Sequence, residues 1–189
     1  GLEAIPNSDE MKHLGAAMAS YGSTPLFHID KITPEAKNLK LDKIDSIDVK
    51  TIGKSEFHAL KSSFGNKGDK VDVVVFAAPQ LSIVEMQKVA DLCNKNTFKV
   101  PVIVCTSPQV YADALRMGFI KKIESSGAKV LEGTCFYNQY AREIGEANGW
   151  KRLLSNSTKI VNILGGYGYE PLLANMEVCI NSAVTGELV

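Results

Sequence analysis

Small and hydroxyl-bearing residues follow four apolar runs of this sequence, and these are the residues best suited to chemistry. The runs lead into Ala77-Ala78-Pro79-Gln80, Cys105-Thr106-Ser107, Gly133-Thr134-Cys135 and Gly165-Gly166-Tyr167-Gly168. If the runs are parallel strands, their ends lie at one edge of a sheet, where loops and helix N-termini converge. Helices beginning at Ser82 and Ser107 would direct partial positive charge there. The pattern favours a small anion as ligand, although serine is also an ordinary N-cap.

Other kinds of site are less well supported by the residues. Cys135 would suit a cysteine hydrolase, but its only possible partners are His13, His28 and His58, and the first and last lie in predicted helices. The run 165–168 resembles a phosphate loop, yet it matches neither G-x-x-x-x-G-K-[ST] nor G-x-G-x-x-G. No G-x-S-x-G motif is present, so an α/β-hydrolase is not supported.

Composition and charge limit the class of protein. Hydrophobic residues make up 45% of the 189 residues, and 21 basic residues balance 21 acidic ones. A chain without net charge has no electrostatic reason to bind nucleic acid or anionic lipid, and no apolar run is long enough to span a membrane. Four cysteines without a C-x-x-C pair indicate reduced thiols in a cytoplasmic protein. The start at Gly1 favours an excised domain over a secretory precursor.

The spacing of the β-branched runs predicts the fold. They begin roughly 28 to 31 residues apart, the length of a strand, a crossover helix and two turns. We therefore predict an α/β fold, with a mainly parallel sheet and helices on both of its faces. The predicted strands are Val71–Ala77, Val100–Thr106, Ala128–Leu131 and Lys159–Leu164.

Helix-start signals fall between these strands. Ser82 and Glu85 form a capping box, and Ser107-Pro108 places an N-cap before a proline that opens a helix ending near Gly118. A further helix is predicted over Phe119 to Ser126.

The first 70 residues are predicted to form a smaller α/β lobe beside the main domain of residues 71–189. A helix capped at Asn7 begins this lobe, and a second helix is predicted over Lys54–Phe64. Short strands are predicted over Pro25–Ile29 and Ile47–Ile52.

Five segments, taken in order, carry motifs of one enzyme family. LGAAMASYGSTPLFHIDKITPEA matches a helix followed by L-F-H and T-P-E-A, and VDVVVFAAPQLSIVEMQKVADL matches V-D…G-x-P-H-x-S-x-x-E. VPVIVCTSPQVYADALRMGFIKKIESSGAKVLEGTC matches a strand, a T-S helix and a D-T-C strand; SNSTK matches T-N-S-G-K, and MEVCINSAVTGEL a C-terminal helix. Together they resemble the C-terminal half of the catalytic large subunit of the aconitase X family, hydro-lyases related to aconitase.

The resemblance implies dehydration of a small hydroxy acid, such as cis-3-hydroxyproline or mevalonate 5-phosphate. It also implies iron or an iron–sulfur cluster, which acts as a Lewis acid on the departing hydroxyl while a base removes a proton. That base is expected from a separate swivelling domain or small subunit, and the rest of the large subunit is a further partner. We therefore expect this chain alone to be inactive and to bind no stable cluster.

The resemblance also suggests site residues. Cys135 matches the cysteine of D-T-C and is the main metal-ligand candidate, with Cys105 as a second. Ser157 and Lys159 match S-x-K and would hold a carboxylate or phosphate, Ser107 would add donors at a helix start, and His28 matches the histidine of L-F-H. Ser107 and Cys135 are expected at one sheet edge. Lys159 begins its predicted strand, which would place it at the opposite edge.

Three positions depart from the family pattern. Gln80 stands in place of the histidine of G-x-P-H, Gly133 in place of the aspartate of D-T-C, and Pro108 in place of the arginine that often follows T-S. Glutamine cannot exchange a proton at neutral pH. These departures keep open the alternative of a non-catalytic α/β module that binds a small anion or a partner protein.

Overall fold

A computed structural model describes residue 2 and residues 4–38, 49–93 and 96–189 of the protein. Helices and strands alternate along most of this part of the chain. The helices are α1 (Ser8–Gly22), α2 (Lys54–Ser63), α3 (Ile83–Leu92), α4 (Pro108–Arg116), α5 (Phe119–Ser125), α6 (Ala141–Asn148), α7 (Thr158–Gly165) and α8 (Met176–Thr185). The strands are β1 (Val73–Leu81), β2 (Val102–Thr106), β3 (Lys129–Glu132), β4 (Arg152–Ser155) and β5 (Glu170–Leu173). Short 3₁₀ helices cover Pro34–Asn38 and Phe136–Asn138.

Within the described residues, the strands form one parallel sheet in the order β3-β2-β1-β4-β5. In its register, Val74 lies opposite Val102, and Val104 opposite Val130. The order runs outward from β1 in one direction up to β3, and then restarts on its other side with β4. The sheet therefore changes winding direction between β1 and β4, and ligands of open parallel sheets bind beyond the strand ends at such a point.

Helices cover both faces of the sheet, which confirms the predicted fold class. On one face, Val74 and Phe76 of β1 pack with residues of α3, α5 and α8 in a large apolar core. On the other face, Val73 and Val75 pack with residues of α6 and α7 in a smaller core, which includes Phe136 and Tyr169. The alternation along β1 follows from the two-residue period of a strand, since both faces of a central parallel strand are buried.

The predicted helix starts are found in the structure. Asn7 accepts hydrogen bonds from the backbone N–H groups of Asp9 and Glu10. Ser82 caps α3, and the Ser107 hydroxyl oxygen accepts from Val110 N at 3.2 Å. These caps satisfy N–H groups that lack a partner inside the helix, so the local sequence is sufficient to place the helix starts.

Three of the four predicted main strands exist within a few residues of the predicted bounds, but the one predicted over Lys159–Leu164 is wrong. That segment is helix α7, capped by Ser157, and the strand of this region is β4 just before it. Ile160 and Val161 are buried together with Leu164, which lies one turn further along, as one face of a helix requires. A short run of β-branched residues is compatible with a strand or with a buried helix. Here the N-cap Ser157 favours the helix.

In the described part of the first 70 residues, the regular elements are α1, α2 and the 3₁₀ helix Pro34–Asn38. Pro25–Ile29, predicted as a strand, pairs with no strand among the described residues, and neither do residues 49–52. Residues 47 and 48 of the second predicted strand lie outside the described residues. α1 packs on α7 and β1, yet it buries none of its residues fully. The division of the chain at residue 70 stays a prediction.

No helix among the described residues has both the length and the apolar character needed to cross a membrane.

Candidate functional site

A cleft opens at the carboxyl ends of the strands. Residues 78–80 at the end of β1, residues 133–135 after β3 and Lys159 in the first turn of α7 line it, together with Tyr137 and Asn138. Its volume is about 320 Å³. We call it the strand-end cleft. Ala78 has a left-handed backbone with φ of 44°, which bends β1 within its last residues. A non-glycine residue in this region is strained, so the surrounding packing must hold it there.

Hydrogen bonds fix the wall of the cleft that follows β3. The Gln80 amide donates to Thr134 O at 3.0 Å, and Gln139 donates to the Thr134 hydroxyl. Gly133 N donates to Thr106 O at 2.9 Å, which continues the β2–β3 pairing past the end of the strand. The bond to Thr134 O therefore fixes the Gln80 side chain in the wall of the strand-end cleft.

Lys159 lies at a different edge of the sheet from the one predicted, because the segment predicted as the strand Lys159–Leu164 is part of helix α7. Because α7 begins just after the end of β4, its first turn lies at the same edge as the ends of the other strands, and Lys159 lines the strand-end cleft. Ser157 is buried, donates to Ala78 O at 2.6 Å and accepts from Ile160 N. The Ser157 hydroxyl therefore joins the start of α7 to the end of β1, and it is occupied by these contacts.

Cys135 is the half-buried thiol of the strand-end cleft. Burial raises the pKa of the Cys135 thiol, while backbone hydrogen bonds and the nearby Lys159 charge act in the opposite direction. Cys105 is fully buried next to it, and burial together with the neighbouring Cys135 raises the pKa of Cys105 to about 12. Cys105 is thus a core residue, whereas Cys135 is accessible from the cleft.

Ser107 lies at the same sheet edge as Cys135, because β2 and β3 are parallel, but it is not among the residues that line the strand-end cleft. Next to Ser107 in the sequence, Pro108 has its Cγ 3.3 Å from the point that a Cβ on Gly133 would occupy. Gly133 has φ of 68°, a conformation that glycine adopts readily. Two departures from the family pattern, Pro108 and Gly133, are therefore neighbours in space. His28 is exposed in the segment after α1 and does not line the cleft.

The described residues do not provide a complete set of ligands for an iron–sulfur cluster. All four cysteines are described, but Cys93 and Cys179 belong to the core on the opposite face of the sheet from Cys105 and Cys135. No group of three or more histidine, cysteine or acidic side chains in the described ranges could hold a metal ion. Such clusters usually need three or four thiolates.

A charged network that the sequence did not predict joins α1 to the start of α3. Glu85 accepts hydrogen bonds from His13 Nε2 at 2.9 Å, from Ser82 N at 2.8 Å and from the Lys12 ammonium. Lys12 also donates to Gln80 O at 3.1 Å, so the network reaches the wall of the strand-end cleft. Burial raises the pKa of Glu85, but these donors outweigh it and lower the pKa to about 2. Glu85 is therefore ionised at neutral pH.

Family models match both parts of the chain. The model described as Aconitase X second domain matches residues 1–62, and the model described as Aconitase X third domain matches residues 71–185.

Two enzymes are similar to this chain in sequence. The phosphomevalonate dehydratase large subunit of Methanocaldococcus jannaschii is 33% identical over 156 residues, which cover 82% of this chain and 37% of the relative. The cis-3-hydroxy-L-proline dehydratase of Hypocrea jecorina is 27% identical over 197 residues, which cover 98% of this chain and 32% of that enzyme.

The crystal structure of Thermococcus kodakaraensis aconitase X in its holo-form has the same fold, with a TM-score of 0.79 and 24% sequence identity. The match covers 94% of this chain and 44% of that one. The chain therefore spans less than half the length of these three relatives.

Proposed function

The chain belongs to the aconitase X family, and from this membership we propose that it forms part of a hydro-lyase that removes water from a small hydroxy acid. The two matching family models carry the membership, and they confirm the resemblance found in the sequence. The similar enzymes are named as dehydratases of phosphomevalonate and of cis-3-hydroxy-L-proline. Both compounds carry a carboxylate, so a cation is the first requirement of the site.

In this proposal, Lys159 binds the substrate anion in the strand-end cleft. Its ammonium is a point charge in the first turn of α7, where the N-terminus of the helix adds partial positive charge. Ser157 acts as a positioning residue, because its bond to Ala78 O fixes the start of α7 against the end of β1. Cys135 lies beside the anion in the same cleft.

The proton-transferring base is proposed to come from a partner. Gln80 occupies the position of the family histidine, and its amide already donates to Thr134 O. The swivelling-domain small subunit and the rest of the large subunit would complete the site. We therefore propose that this chain alone is inactive, and that the assembled enzyme works in the cytoplasm, where its thiols stay reduced.

The resemblance implies iron or an iron–sulfur centre in the full-length protein, but the residues of this chain do not fit it by themselves. Cys135 is the one thiol that both lines the cleft and is partly exposed. A complete ligand set would need residues contributed from outside this chain, and no step of the reaction is assigned to the metal here.

The alternative is a non-catalytic module that binds a small anion or a partner protein through the same cleft. The replacement of a titratable histidine by hydrogen-bonded Gln80 favours it. The departures at Pro108 and Gly133, which lie close together, favour it as well, since they remove the arginine and the aspartate of the family pattern.

Protection of Cys135 tests the proposal. Its alkylation by iodoacetamide is followed by mass spectrometry at about pH 8, where a fraction of thiol reacts as thiolate. We expect mevalonate 5-phosphate or cis-3-hydroxy-L-proline to slow the reaction in a saturable way. Lys159→Met should weaken this protection about tenfold, because a charge-assisted contact is lost. Lys121→Met removes an exposed charge from α5 and serves as the matched control.

The outcomes separate the two functions. Protection by neither compound contradicts the proposed substrate class, and dehydration by this chain alone contradicts its inactivity. Protection without turnover after assembly of the full-length large subunit with its small subunit would favour the non-catalytic module.

A further inference from the structure

Helix α1 contacts the end of β1 and the start of α3 through polar side chains. Lys12 donates to Gln80 O at 3.1 Å, and the Asp9 carboxylate accepts from the Ser82 hydroxyl at 2.8 Å. Residues 80–82 form the short connection between β1 and α3, and Gln80 within it lines the strand-end cleft. No residue of α1 is among those that line this cleft, so α1 supports its wall from outside.

The Lys12 ammonium has three N–H donors, and the structure gives it three acceptors. Besides Gln80 O, these are Asp9 Oδ1 at 3.1 Å and a carboxylate oxygen of Glu85. Two of the three acceptors are carboxylates, so the charge of Lys12 is balanced within its own network. Lys12 therefore contributes to the cleft by position rather than by charge, because it holds the backbone of Gln80 against α1.

Gln80 is held on two sides. Its backbone carbonyl accepts from Lys12, and its side-chain amide donates to Thr134 O at 3.0 Å. Thr134 directly precedes Cys135, so the Gln80 amide connects the end of β1 with the segment that carries the thiol of the cleft. A displacement of the Gln80 backbone is therefore transmitted to residues 133–135 through one hydrogen bond.

The far end of α1 is attached independently of Lys12. Asn162 of α7 donates to Ser20 O at 2.9 Å and to the Ser20 hydroxyl at 2.8 Å. None of the residues of α1 is fully buried, so these polar contacts at its two ends fix much of its position. The Lys12 contact also joins the segment matched by the second-domain model to the segment matched by the third-domain model.

We propose that Lys12 is a positioning residue for the strand-end cleft. By holding the Gln80 carbonyl, it fixes the Gln80 side chain and residues 133–135, and thereby sets the affinity of the cleft for a substrate anion. This inference rests on the proposed function, since it concerns the anion that the cleft is proposed to bind. Lys12 itself touches no substrate.

Protection of Cys135 from iodoacetamide measures the anion affinity of the 189-residue chain, with mevalonate 5-phosphate and cis-3-hydroxy-L-proline as probes. Lys12→Met keeps most of the side-chain length but removes all three donors. It should raise the dissociation constant of the protecting compound about fivefold, as the loss of one hydrogen bond predicts. Ser20→Ala is the matched control, because it removes a hydroxyl contact at the far end of α1 and should leave the constant unchanged.

A double-mutant cycle tests whether Lys12 acts through Gln80. Gln80→Ala removes the bond to Thr134 O and should weaken anion binding by a similar factor. In the Gln80→Ala background, Lys12→Met should have no further effect, because the side chain that Lys12 positions is absent. A general loss of stability would instead weaken binding equally in both backgrounds.

The ¹H–¹⁵N NMR signals of the Gln80 side-chain amide report its position without a ligand. They should shift in Lys12→Met and stay unchanged in Ser20→Ala. If Lys12→Met does not fold, the double variant Lys12→Met/Glu85→Gln leaves no unpaired carboxylate at Glu85, and it should show the same shift and the same loss of affinity.

Equal protection of Cys135 in the unchanged protein and in the Lys12 variant would overturn the proposal. Additive effects in the double-mutant cycle, or unchanged Gln80 amide signals in the Lys12 variant, would overturn it as well. If neither compound protects Cys135 in the unchanged protein, the proposed substrate class fails. The Gln80 signals alone then support or overturn the positioning role of Lys12, so the two failures are distinguishable.

Discussion

Replacement of Glu85 by glutamine probes the charged network that joins α1 to α3. The Glu85 side chain is 9% exposed and receives hydrogen bonds from Lys12, His13 and Ser82 N. Glu85→Gln keeps the size of the side chain but removes its charge. It also turns an NH₂ group towards partners that are themselves donors. The variant therefore leaves the Lys12 ammonium without its buried counter-charge.

The displaced pKa of Glu85 gives the size of the effect. A decrease from 4.5 to about 2 is a difference of about 2.5 units, and each unit corresponds to about 1.36 kcal/mol, or about 3 kcal/mol in total. Lys12 and His13 are 30% and 24% exposed, so solvent screens part of this interaction. We expect Glu85→Gln to lower the free energy of unfolding by about 2 kcal/mol at neutral pH.

Urea unfolding followed by circular dichroism measures the difference. Glu124→Gln, an exposed position in α5, is the matched control and should change stability by less than about 0.5 kcal/mol. Because folding lowers the pKa of Glu85, its contribution is complete above the unfolded value of 4.5 and is lost as the pH falls towards about 2. The gap between the unchanged protein and Glu85→Gln should therefore narrow over this interval. A gap that is absent at neutral pH, or that widens on acidification, would refute the reasoning.

Further substitutions test the packing beneath the candidate site. A Cβ on Gly145 in α6 would lie 2.6 Å from the Tyr169 hydroxyl, so Gly145→Ala should lower the free energy of unfolding by about 2 kcal/mol. Gly165→Ala, at the end of α7 where no atom lies within 4 Å, should be neutral or slightly stabilising; equal effects of the two changes would contradict the packing argument. Ser157→Ala removes both the cap of α7 and the bond to Ala78 O, and should lose about 1 to 2 kcal/mol in urea unfolding. An unchanged midpoint would show that these bonds contribute nothing.

The parts of the fold that depend on residues close together in the sequence were predictable. Ser82 and Ser107 satisfy N–H groups three residues away, and the apolar residues of β1 alternate with the pleat, so the pattern and the structure share one cause. The Lys159–Leu164 run failed because β-branched residues occupy a buried helix face as well as a strand. The strands β4 and β5 were missed because neither contains a β-branched residue, the signal by which the other strands were predicted.

The site was predictable only in part. Cys135 and Lys159 follow strands, so parallel topology brings them together once the strands are placed correctly. The partners of Glu85 lie 72 and 73 residues away on α1. The spacing of residues within one helix cannot predict a contact between segments so far apart in the sequence. The capping box accounts for Glu85 by itself, which is why its second role was not predicted.

The unequal size of the two apolar cores has a consequence for how the molecule opens. Among the described residues, 22 buried side chains form the core beneath α3, α5 and α8, but only 11 form the one beneath α6 and α7. Partial unfolding proceeds through the regions with the fewest buried contacts, so amide hydrogens of α6 and α7 should exchange with solvent before those of α3 and α8. Lys159, which lines the strand-end cleft, belongs to α7 in this less protected layer. An anion that bridges Lys159 and the end of β1 would therefore slow exchange in α7, and would leave the opposite layer of the sheet unaffected.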